Sequence, residues 1–378
     1  MSESLHIALL GAGQLGSAFA LALRASDPAI RVTAYDPVPA HAAHLLESGG
    51  ATATASSAHE AVADCDLVIF AAPVRSFRRL AEEIKPALRD GTIITDLGSV
   101  KASMLAVIEQ LPNARVVPAH PIAGSEKSGP AAARADLFKG KLCIITPNDA
   151  TDKQAIEIVE TLWHLAGADV LPMPIAVHDH IYAAMSHLPH LVAFVAADYF
   201  HNLGVHVTPD DAVLQRFLRI SRSNPRMWSD IFLENREALL PALGTFTAIL
   251  RHVAGELRSG KEDSKTLTTA EIAKAYVPRM LASCLISTVS TMEQQLDMSL
   301  KPFGAGGMRD IAAPAADDPE HAMEEISTVA RAVADVIDVV LAKFNTLAQA
   351  IGAEDEPAML YAITKMVANA HEIVEVRQ

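Results

Sequence analysis

The chain has 378 residues, too many for one small core and suited to two or three packed units. Half of the residues are apolar and 20% are charged, which is typical of a globular protein. The net charge of −14 argues against a nucleic-acid-binding protein, because such proteins need a basic face. No apolar run reaches about 18 residues, and residues 1–10 lack the pattern of a signal peptide. The three cysteines have no metal-ligand or disulfide spacing. These features predict a cytoplasmic enzyme or binding protein.

A glycine-rich loop follows the first predicted strand. The apolar residues 5–10 precede Gly11-Ala12-Gly13-Gln14-Leu15-Gly16, and helix-forming residues 17–24 come next. Strand, G-x-G-x-x-G and helix in this order are the fingerprint of a dinucleotide site. The first glycine permits the tight turn, the second admits the pyrophosphate, and the third lets helix and strand pack closely. The N-terminus of the helix then offers free N–H groups to the phosphates.

Asp36 indicates which dinucleotide the loop binds. It ends the next predicted strand, residues 31–35, and stands 20 residues beyond Gly16. A carboxylate there accepts hydrogen bonds from the ribose 2′-hydroxyl and repels a 2′-phosphate, so we expect NAD rather than NADP. The alternative is that Asp36 only caps the following helix. The residues predicted to contact NAD are Gly11, Gly13, Gln14, Leu15, Gly16, Asp36, Ala72, Pro73 and Ser99.

Strands and helices alternate over the first part of the chain. Further strands are predicted at residues 66–72, 92–95, 141–146 and 168–171, with helices at 76–88 and 153–166. This alternation favours an α/β fold with a mostly parallel, Rossmann-type sheet, in which ligands bind at the carboxyl ends of the strands.

His120 opens a polar, glycine-punctuated loop, residues 120–130, directly after a short apolar run at 115–119. Alone, such a loop reads as a polar turn with an incidental histidine. However, His120, Ser99 and the glycine loop all fall at carboxyl ends of predicted strands, where α/β sheets place chemistry. We therefore expect His120 to be functional.

The pattern changes after Pro174, where helical periods replace the alternation. Residues 175–202 are predicted to form one long helix, kinked near Pro189. Apolar stripes over residues 228–257 and 326–347 predict two further long helices, and their wide apolar faces suggest a homodimer built through the helical half. The predicted domains are residues 1–174, 175–262 and 263–378, the last an additional helical region.

Several motifs together resemble those of the prephenate and arogenate dehydrogenases of tyrosine biosynthesis. Besides the glycine loop with Asp36, they are residues 96–101 (DLGSVK), 120–129 (HPIAGSEKSG), 186–190 (SHLPH) and 217–231 (FLRISRSNPRMWSDI). The order is that of the family, and the two histidine motifs are the most specific. One departure is clear, since the family's G-F-R-D-x-T-R-I-A run reads VLQRFLRIS here, with only its second arginine kept, as Arg219.

The resemblance implies a Rossmann-type domain followed by an all-α domain, in the two-domain layout of 6-phosphogluconate dehydrogenases. It implies oxidative decarboxylation: a ring alcohol gives a hydride to NAD, and the ring carboxylate leaves as CO2. A neutral imidazole suits the hydroxyl proton, so His120 is the expected base. Ser99 is expected to hydrogen-bond His120 or the substrate, and Arg219 to bind a substrate carboxylate. The remaining expected substrate contacts are His187, Glu126 and Ser125.

Alternatives stay open at this point. The sequence does not separate prephenate from arogenate. His178, His180, His187 and His190 suggest a metal site, but no third ligand has zinc spacing, so none is expected. A β-hydroxyacid dehydrogenase would need a lysine on the helical domain, and an idle NAD sensor would not need Ser99, His120 and Arg219 together. The tail lacks a regulatory domain's β-α-β pattern and shows no chorismate mutase motif. Its residues 303–313 resemble the G-F-R-D-x-T-R run, either as a degenerate repeat or by accident.

Overall fold

The computed structural model describes residues 5–124, 128–208, 210–260, 265, 267–304, 306–316 and 325–375. The chain divides into two compact units, Met1–Asp179 and His180–Gln378. The division lies five residues beyond the predicted boundary at residue 174, and the described residues beyond 263 belong to the second unit.

The first unit contains a six-stranded parallel sheet with the strand order β3-β2-β1-β4-β5-β6. Its strands are β1 His6–Leu10, β2 Arg31–Tyr35, β3 Ala53–Thr54, β4 Leu67–Phe70, β5 Ile93–Asp96 and β6 Arg115–Val116. This is the order of a doubly wound dinucleotide-binding sheet, which confirms the predicted Rossmann-type fold. The order reverses between β1 and β4, so the crevice between them is where such sheets bind ligands.

Helices cover both faces of this sheet. Alternate residues of β1 feed two separate cores, Ile7 and Leu9 on one face and Ala8 and Leu10 on the other. Burial on both faces explains why these strands read as continuous apolar runs. The helices are α1 Gln14–Ser26, α2 Pro39–Glu47, α3 Ala58–Val62, α4 Phe77–Ile84, α5 Ser103–Gln110 and α6 Lys153–Leu165.

A second, three-stranded sheet corrects two expectations. It consists of β7 Ala119–Pro121, β8 Leu142–Ile145 and β9 Asp169–Pro172, with β7 antiparallel to β8. His120 therefore lies in a strand rather than a loop, and the predicted strands at residues 141–146 and 168–171 belong to this second sheet rather than to the parallel one. Beyond Val117, the Ala119 N–H donates to the side-chain carboxylate of Asp96 and the backbone ladder beside β5 ends; Pro118 lies at this point. Its carbonyl instead accepts a hydrogen bond from the Thr146 N–H at 2.9 Å, which starts the pairing with β8.

The second unit is helical throughout the part of it that the structure describes. The predicted helix over residues 175–202 is three segments: α7 Ile175–Tyr182, a π-helical turn Ala183–His187, and α8 Leu188–Asn202. Pro189 lies just after the π-helical turn. A proline offers no N–H to the preceding turn and crowds it, and the wider π-helical turn makes room for its ring. The remaining helices are α9 Ala212–Arg219, α10 Pro225–Glu234, α11 Arg236–Ser259, α12 Thr269–Leu296, α13 Gly306–Ala312, α14 Ala330–Gly352 and α15 Glu356–Glu375.

The two apolar stripes lie on helices that pack against each other. The first stripe is split at Asn235 between α10 and α11 rather than lying on one helix. Helix α11 then packs along α14, with the rings of Phe246 and Phe344 5.3 Å apart and nearly perpendicular. Among the described residues, α11 is the one helix whose length and composition would suit a membrane span, but one of its faces packs against α12 and α14. The stripes thus bury each other within one chain, which removes the reason for which a homodimer was predicted.

Candidate active site

The glycine loop has the shape that a dinucleotide requires. Gly11 has φ of +113°, and a Cβ there would lie 2.5 Å from the Ala71 carbonyl oxygen. A Cβ on Gly16 would lie 2.3 Å from the Gly11 carbonyl oxygen, so neither position accepts a side chain. Gly13, by contrast, faces open space, with no atom within 4 Å of its would-be Cβ. The open side adjoins the N-terminus of α1, which begins with Gln14 and Leu15, and backbone N–H groups at such an end bind phosphate.

Asp36 is held beside this loop at the end of β2. Its carboxylate accepts hydrogen bonds from the N–H groups of Ala12 at 2.8 Å and Val38 at 2.9 Å. Helix α2 starts at Pro39 after Val38, without a side-chain cap. Asp36 therefore does not serve as the N-cap of α2, which was the alternative, and its position next to the glycine loop supports the predicted ribose contact.

Two other segments predicted to bind the cofactor follow neighbouring strands. Ala72 and Pro73 come directly after β4, the neighbour of β1, and Ser99 comes after β5. Ser99 is partly exposed, and its hydroxyl makes no hydrogen bond to any residue that the structure describes. The expected bond from Ser99 to His120 is therefore absent from the structure, and the alternative, a bond from Ser99 to the substrate, stays a prediction.

His120 belongs to a chain of hydrogen bonds that the sequence did not predict. Its Nδ1 lies 2.8 Å from Nε2 of His178, and Nδ1 of His178 lies 2.7 Å from Oδ1 of Asp179. The Asp179 carboxylate also accepts the N–H groups of Lys101 and Ala102, each at 2.8 Å. His178 is fully buried and Asp179 is 5% exposed. We call His120, His178 and Asp179 the histidine relay.

The relay determines which nitrogen of His120 carries a proton. Burial lowers the pKa of His178, against its hydrogen bond to Asp179, so this imidazole is neutral at pH 7. Burial alone would raise the pKa of Asp179, but the hydrogen bonds from His178 and the backbone lower it overall. The Asp179 carboxylate therefore accepts a hydrogen bond from the Nδ1–H of His178. The Nε2 of His178 in turn accepts a hydrogen bond from the Nδ1–H of His120. In neutral His120 the lone pair is on Nε2, the nitrogen that can take up a proton.

A buried ion pair fixes the strand on which His120 lies. Lys101 and Asp96 contact each other with both side chains fully buried. Asp96 accepts the N–H of Ala119 at 2.9 Å, and Lys101 donates to the Ala119 carbonyl at 2.6 Å. The backbone N–H and carbonyl of Ala119, the residue before His120, are therefore both hydrogen-bonded to this ion pair. Asp96 and Lys101 begin and end the DLGSVK motif, so the sequence contained a sign of this pair. Within that motif, only Ser99 was assigned a role from the sequence.

The segment after His120 approaches the start of α1. Gly124 has φ of +135°, and a Cβ there would lie 3.9 Å from Cδ2 of Leu15. The relay strand and the dinucleotide loop therefore belong to one neighbourhood of the first unit. Ser125 and Glu126, predicted to bind substrate, lie outside the described residues.

In the second unit, the SHLPH motif places two histidines around Trp228. His187 is 1% exposed, and its Nδ1 lies 2.9 Å from the side-chain nitrogen of Asn235. His190 stacks on Trp228 with ring centroids 3.6 Å apart and donates from Nδ1 to the Ser186 carbonyl at 2.8 Å. Burial lowers the pKa of His190 to about 3, so it is neutral at pH 7. The role of His187 as a substrate contact stays a prediction.

Arg219, the last residue of α9, already pairs with a carboxylate of the protein. Its Nε donates to Oδ2 of Asp310 at 2.7 Å, and Arg216 lies 3.9 Å from the other oxygen. The side chain of Arg219 is 43% exposed and that of Asp310 is 19% exposed. A guanidinium carries five N–H donors, so it can hold one carboxylate of the protein and bind a second carboxylate at the same time. The sequence did not predict Asp310 as this partner, although it stands in the degenerate 303–313 run.

Three of the four histidines considered as metal ligands, His178, His187 and His190, are engaged in the contacts described above. Both ring nitrogens of His178 lie within hydrogen-bond distance of His120 or Asp179. Within the ranges given above, no group of three or more His, Cys, Asp or Glu residues is arranged to hold a metal ion.

Two family models match the chain. Residues 19–172 match the nucleotide-binding domain of prephenate dehydrogenase, and residues 175–270 match its dimerization domain. Residues 271–378 lie beyond both matches.

Individual proteins agree with these models. A cyclohexadienyl dehydrogenase of Zymomonas mobilis is 36% identical over 269 residues, 68% of this chain and 90% of its own length. A prephenate dehydrogenase of Bacillus subtilis is 33% identical over 245 residues, 62% of this chain and 65% of that protein. The crystal structure of Aquifex aeolicus prephenate dehydrogenase in complex with hydroxyphenyl propionate and NAD+ is similar with a TM-score of 0.61 and 29% identity, covering 79% of this chain and 99% of that one. With the glycine loop, Asp36 and the histidine relay in place, the chain belongs to the prephenate dehydrogenase family of NAD-dependent dehydrogenases.

Proposed function

We propose that this protein is a prephenate dehydrogenase, which oxidises and decarboxylates prephenate to 4-hydroxyphenylpyruvate and CO2 with NAD. The observation that carries this proposal is the histidine relay, which engages Nδ1 of His120 and leaves Nε2 as the nitrogen for proton uptake, in the unit that holds the dinucleotide loop. Such a base is what removal of a hydroxyl proton during hydride transfer requires.

The chemistry divides between the cofactor and the chain. NAD, when bound, supplies the hydride acceptor. Nε2 of His120 takes the ring hydroxyl proton as the carbinol becomes a carbonyl. The carboxylate on the ring then leaves as CO2, the electron pair of the broken C–C bond makes the ring aromatic, and the former carbonyl oxygen takes a proton from His120 or water to become the phenol. Arg219 is proposed to bind a substrate carboxylate, and Ser99, His187, Ser125 and Glu126 are proposed as further contacts.

Steady-state assays test the proposal. Prephenate and arogenate are each supplied with NAD and with NADP, while reduced cofactor and the aromatic product are measured. We expect turnover of prephenate with NAD. Failure of both substrates under all four conditions would remove the proposal.

A second candidate is a cyclohexadienyl dehydrogenase that also accepts arogenate and forms tyrosine. It is favoured by the relative in Zymomonas mobilis, which carries that name and aligns over 90% of its length. Comparable kcat/KM values for the two substrates in the same assays would favour this second candidate.

Asp36 is expected to set the cofactor preference. In Asp36→Ser, the 2′-hydroxyl loses its acceptor and a 2′-phosphate loses its repulsion, so NADP should become usable while kcat/KM with NAD falls by about tenfold. The kcat/KM values for both cofactors measure this. Asp66→Ser, an exposed strand-end carboxylate in the same unit, is the control and should leave the ratio unchanged. Wild-type protein that used NADP as well as NAD would contradict the assignment.

His178 is expected to act as a positioning residue for His120. His178→Phe keeps a ring of similar size but removes the acceptor for Nδ1–H of His120, so both tautomers of His120 become populated. We expect kcat to fall by about 10–100-fold with the KM for NAD nearly unchanged, as for other outer partners of functional histidines. His164→Phe, at an exposed histidine of the same unit, should keep the wild-type kcat. A normal kcat and pH profile in His178→Phe would rule out the relay.

The cytoplasmic location and the homodimer also stay proposals. The matched family domain at residues 175–270 is described as a dimerization domain. Since α11 and α14 cover each other, a homodimer would have to use a different face of the helical unit.

A further inference from the structure

Apart from α10 and the 3-10 turn Lys301–Phe303, each found once among the described residues, the helical unit contains the same order of elements twice. Its first half runs from the long helix α8 through the short α9 and a 3-10 turn, Ile220–Arg222, to the long helix α11. Its second half runs from the long helix α12 through the short α13 and a 3-10 turn, Ala313–Ala316, to the long helix α14. The second series begins at Thr269, where the match to the family domain ends.

The two series pack as subunits of a symmetric dimer do. Each helix contacts its counterpart: α8 packs on α12, α9 on α13, and α11 on α14. Contacts between helices that are not counterparts are also reciprocal. Helix α8 contacts α13, and in the same way α12 contacts α9. Helix α11 contacts α12, and in the same way α14 contacts α8. Reciprocity of this kind defines an isologous two-fold interface. Accidental packing of unrelated helices has no reason to produce it.

The family motif is divided between the two series. Residues 213–219, VLQRFLR, keep the final arginine as Arg219 but lack the glycine and the first arginine. Residues 307–313, GMRDIAA, keep Gly307, Arg309 and Asp310 but carry Ala313 in place of the final arginine. Each series therefore lacks what the other retains.

We propose that residues 269–352 are a diverged second copy of residues 188–259, which occupies within the same chain the face on which a second subunit would pack. The two copies then build one substrate site between them, with Arg219 from the first copy and the Gly307–Asp310 segment from the second. The statement about a substrate site rests on the proposed function, whereas the statement about packing does not.

The contacts between the two motif segments support a shared site. Asp310 of the second copy holds Arg219 of the first at 2.7 Å. Gly307 lies against His190, since a Cβ there would come within 2.9 Å of its Cε1. The second copy thus supplies Asp310, the acidic partner of Arg219, and Gly307, whose lack of a side chain permits the close approach to His190.

Cross-linking tests the packing without any assay of activity. The side chains of Arg251 on α11 and Asn345 on α14 hydrogen-bond at 3.1 Å. In the full-length double variant Arg251→Cys/Asn345→Cys, a short bismaleimide should link the two helices within one chain. The product should run as a single chain on a denaturing gel, with the cross-link recovered between the two peptides by mass spectrometry. The native cysteines are buried, and each single variant controls for them. Covalent dimers as the main product would overturn the proposal, because α14 would then come from another molecule.

Kinetics test the shared site. Asp310→Asn removes a carboxylate that holds the guanidinium of Arg219 in position, so the KM for prephenate should rise about fivefold with kcat and the KM for NAD little changed. Asp310→Glu should recover part of the loss. Asp335→Asn removes a carboxylate that pairs with Arg258 on α11, away from the motif, and should behave as wild type. An unchanged KM in Asp310→Asn would overturn the shared site. Inactivity of the wild-type protein towards prephenate would instead count against the proposed function, while the cross-linking result would stand.

Discussion

His120→Asn is expected to lower kcat by about 10²–10⁴-fold and to leave NAD binding intact. Asparagine keeps a hydrogen-bonding side chain of similar shape and can still reach His178, but it cannot take up the hydroxyl proton. The strand should not move, because Asp96 and Lys101 hold the backbone of Ala119 from their own buried pair. The loss should therefore appear in kcat, and cofactor affinity measured by fluorescence titration should match that of the wild type.

The pH profile gives an independent readout of the same base. Only neutral His120 accepts a proton, so wild-type activity should fall as the pH decreases and the imidazole becomes protonated. Burial lowers the pKa of His178, so we assign the acidic limb to His120 rather than to His178. The limb should be absent from the residual activity of His120→Asn. A variant with near-normal kcat and an unchanged profile would demote His120 to a positioning residue and make His187 the leading candidate for the base.

The sequence predicted well those features that arise from neighbouring residues. The glycine loop, the strands beside it and Asp36 follow from local pattern and spacing, and β2 was predicted to the residue as 31–35. The order of the parallel strands follows from general rules of α/β folds once the alternation is recognised.

The features that were missed depend on contacts between distant segments. His178 was considered only as a member of a histidine cluster and Asp179 was not singled out, because nothing local shows that His178 meets a strand 58 residues earlier in the chain. The end of the parallel sheet at Pro118 was missed for a similar reason, since the proline was taken as part of an apolar run. The apolar stripes of α11 and α14 were correct as patterns, but a stripe does not say whether its partner lies in the same chain or in another.

Arg219→Ala is expected to raise the KM for prephenate by about tenfold or more, because a charge-assisted hydrogen bond to a carboxylate contributes about 1.5–3 kcal/mol. The KM for NAD should barely move, since Arg219 lies in the helical unit and the dinucleotide loop in the other. Steady-state kinetics at saturating NAD measure the change.

Arg216→Ala provides the matched control for that experiment. Arg216 lies on the same helix and faces the same carboxylate, but at 3.9 Å and with 61% of its side chain exposed. It should shift the KM by less than about twofold, as expected of an exposed ion pair. The Ala variant of Arg219 also releases Asp310 from its partner, so the double variant Arg219→Ala/Asp310→Asn separates the two effects. If Arg219 binds the substrate directly, removing the released carboxylate will not restore a low KM. A double variant with wild-type KM would mean that repulsion by Asp310 caused the whole loss, and the substrate carboxylate would then be assigned to Arg222 or Arg309.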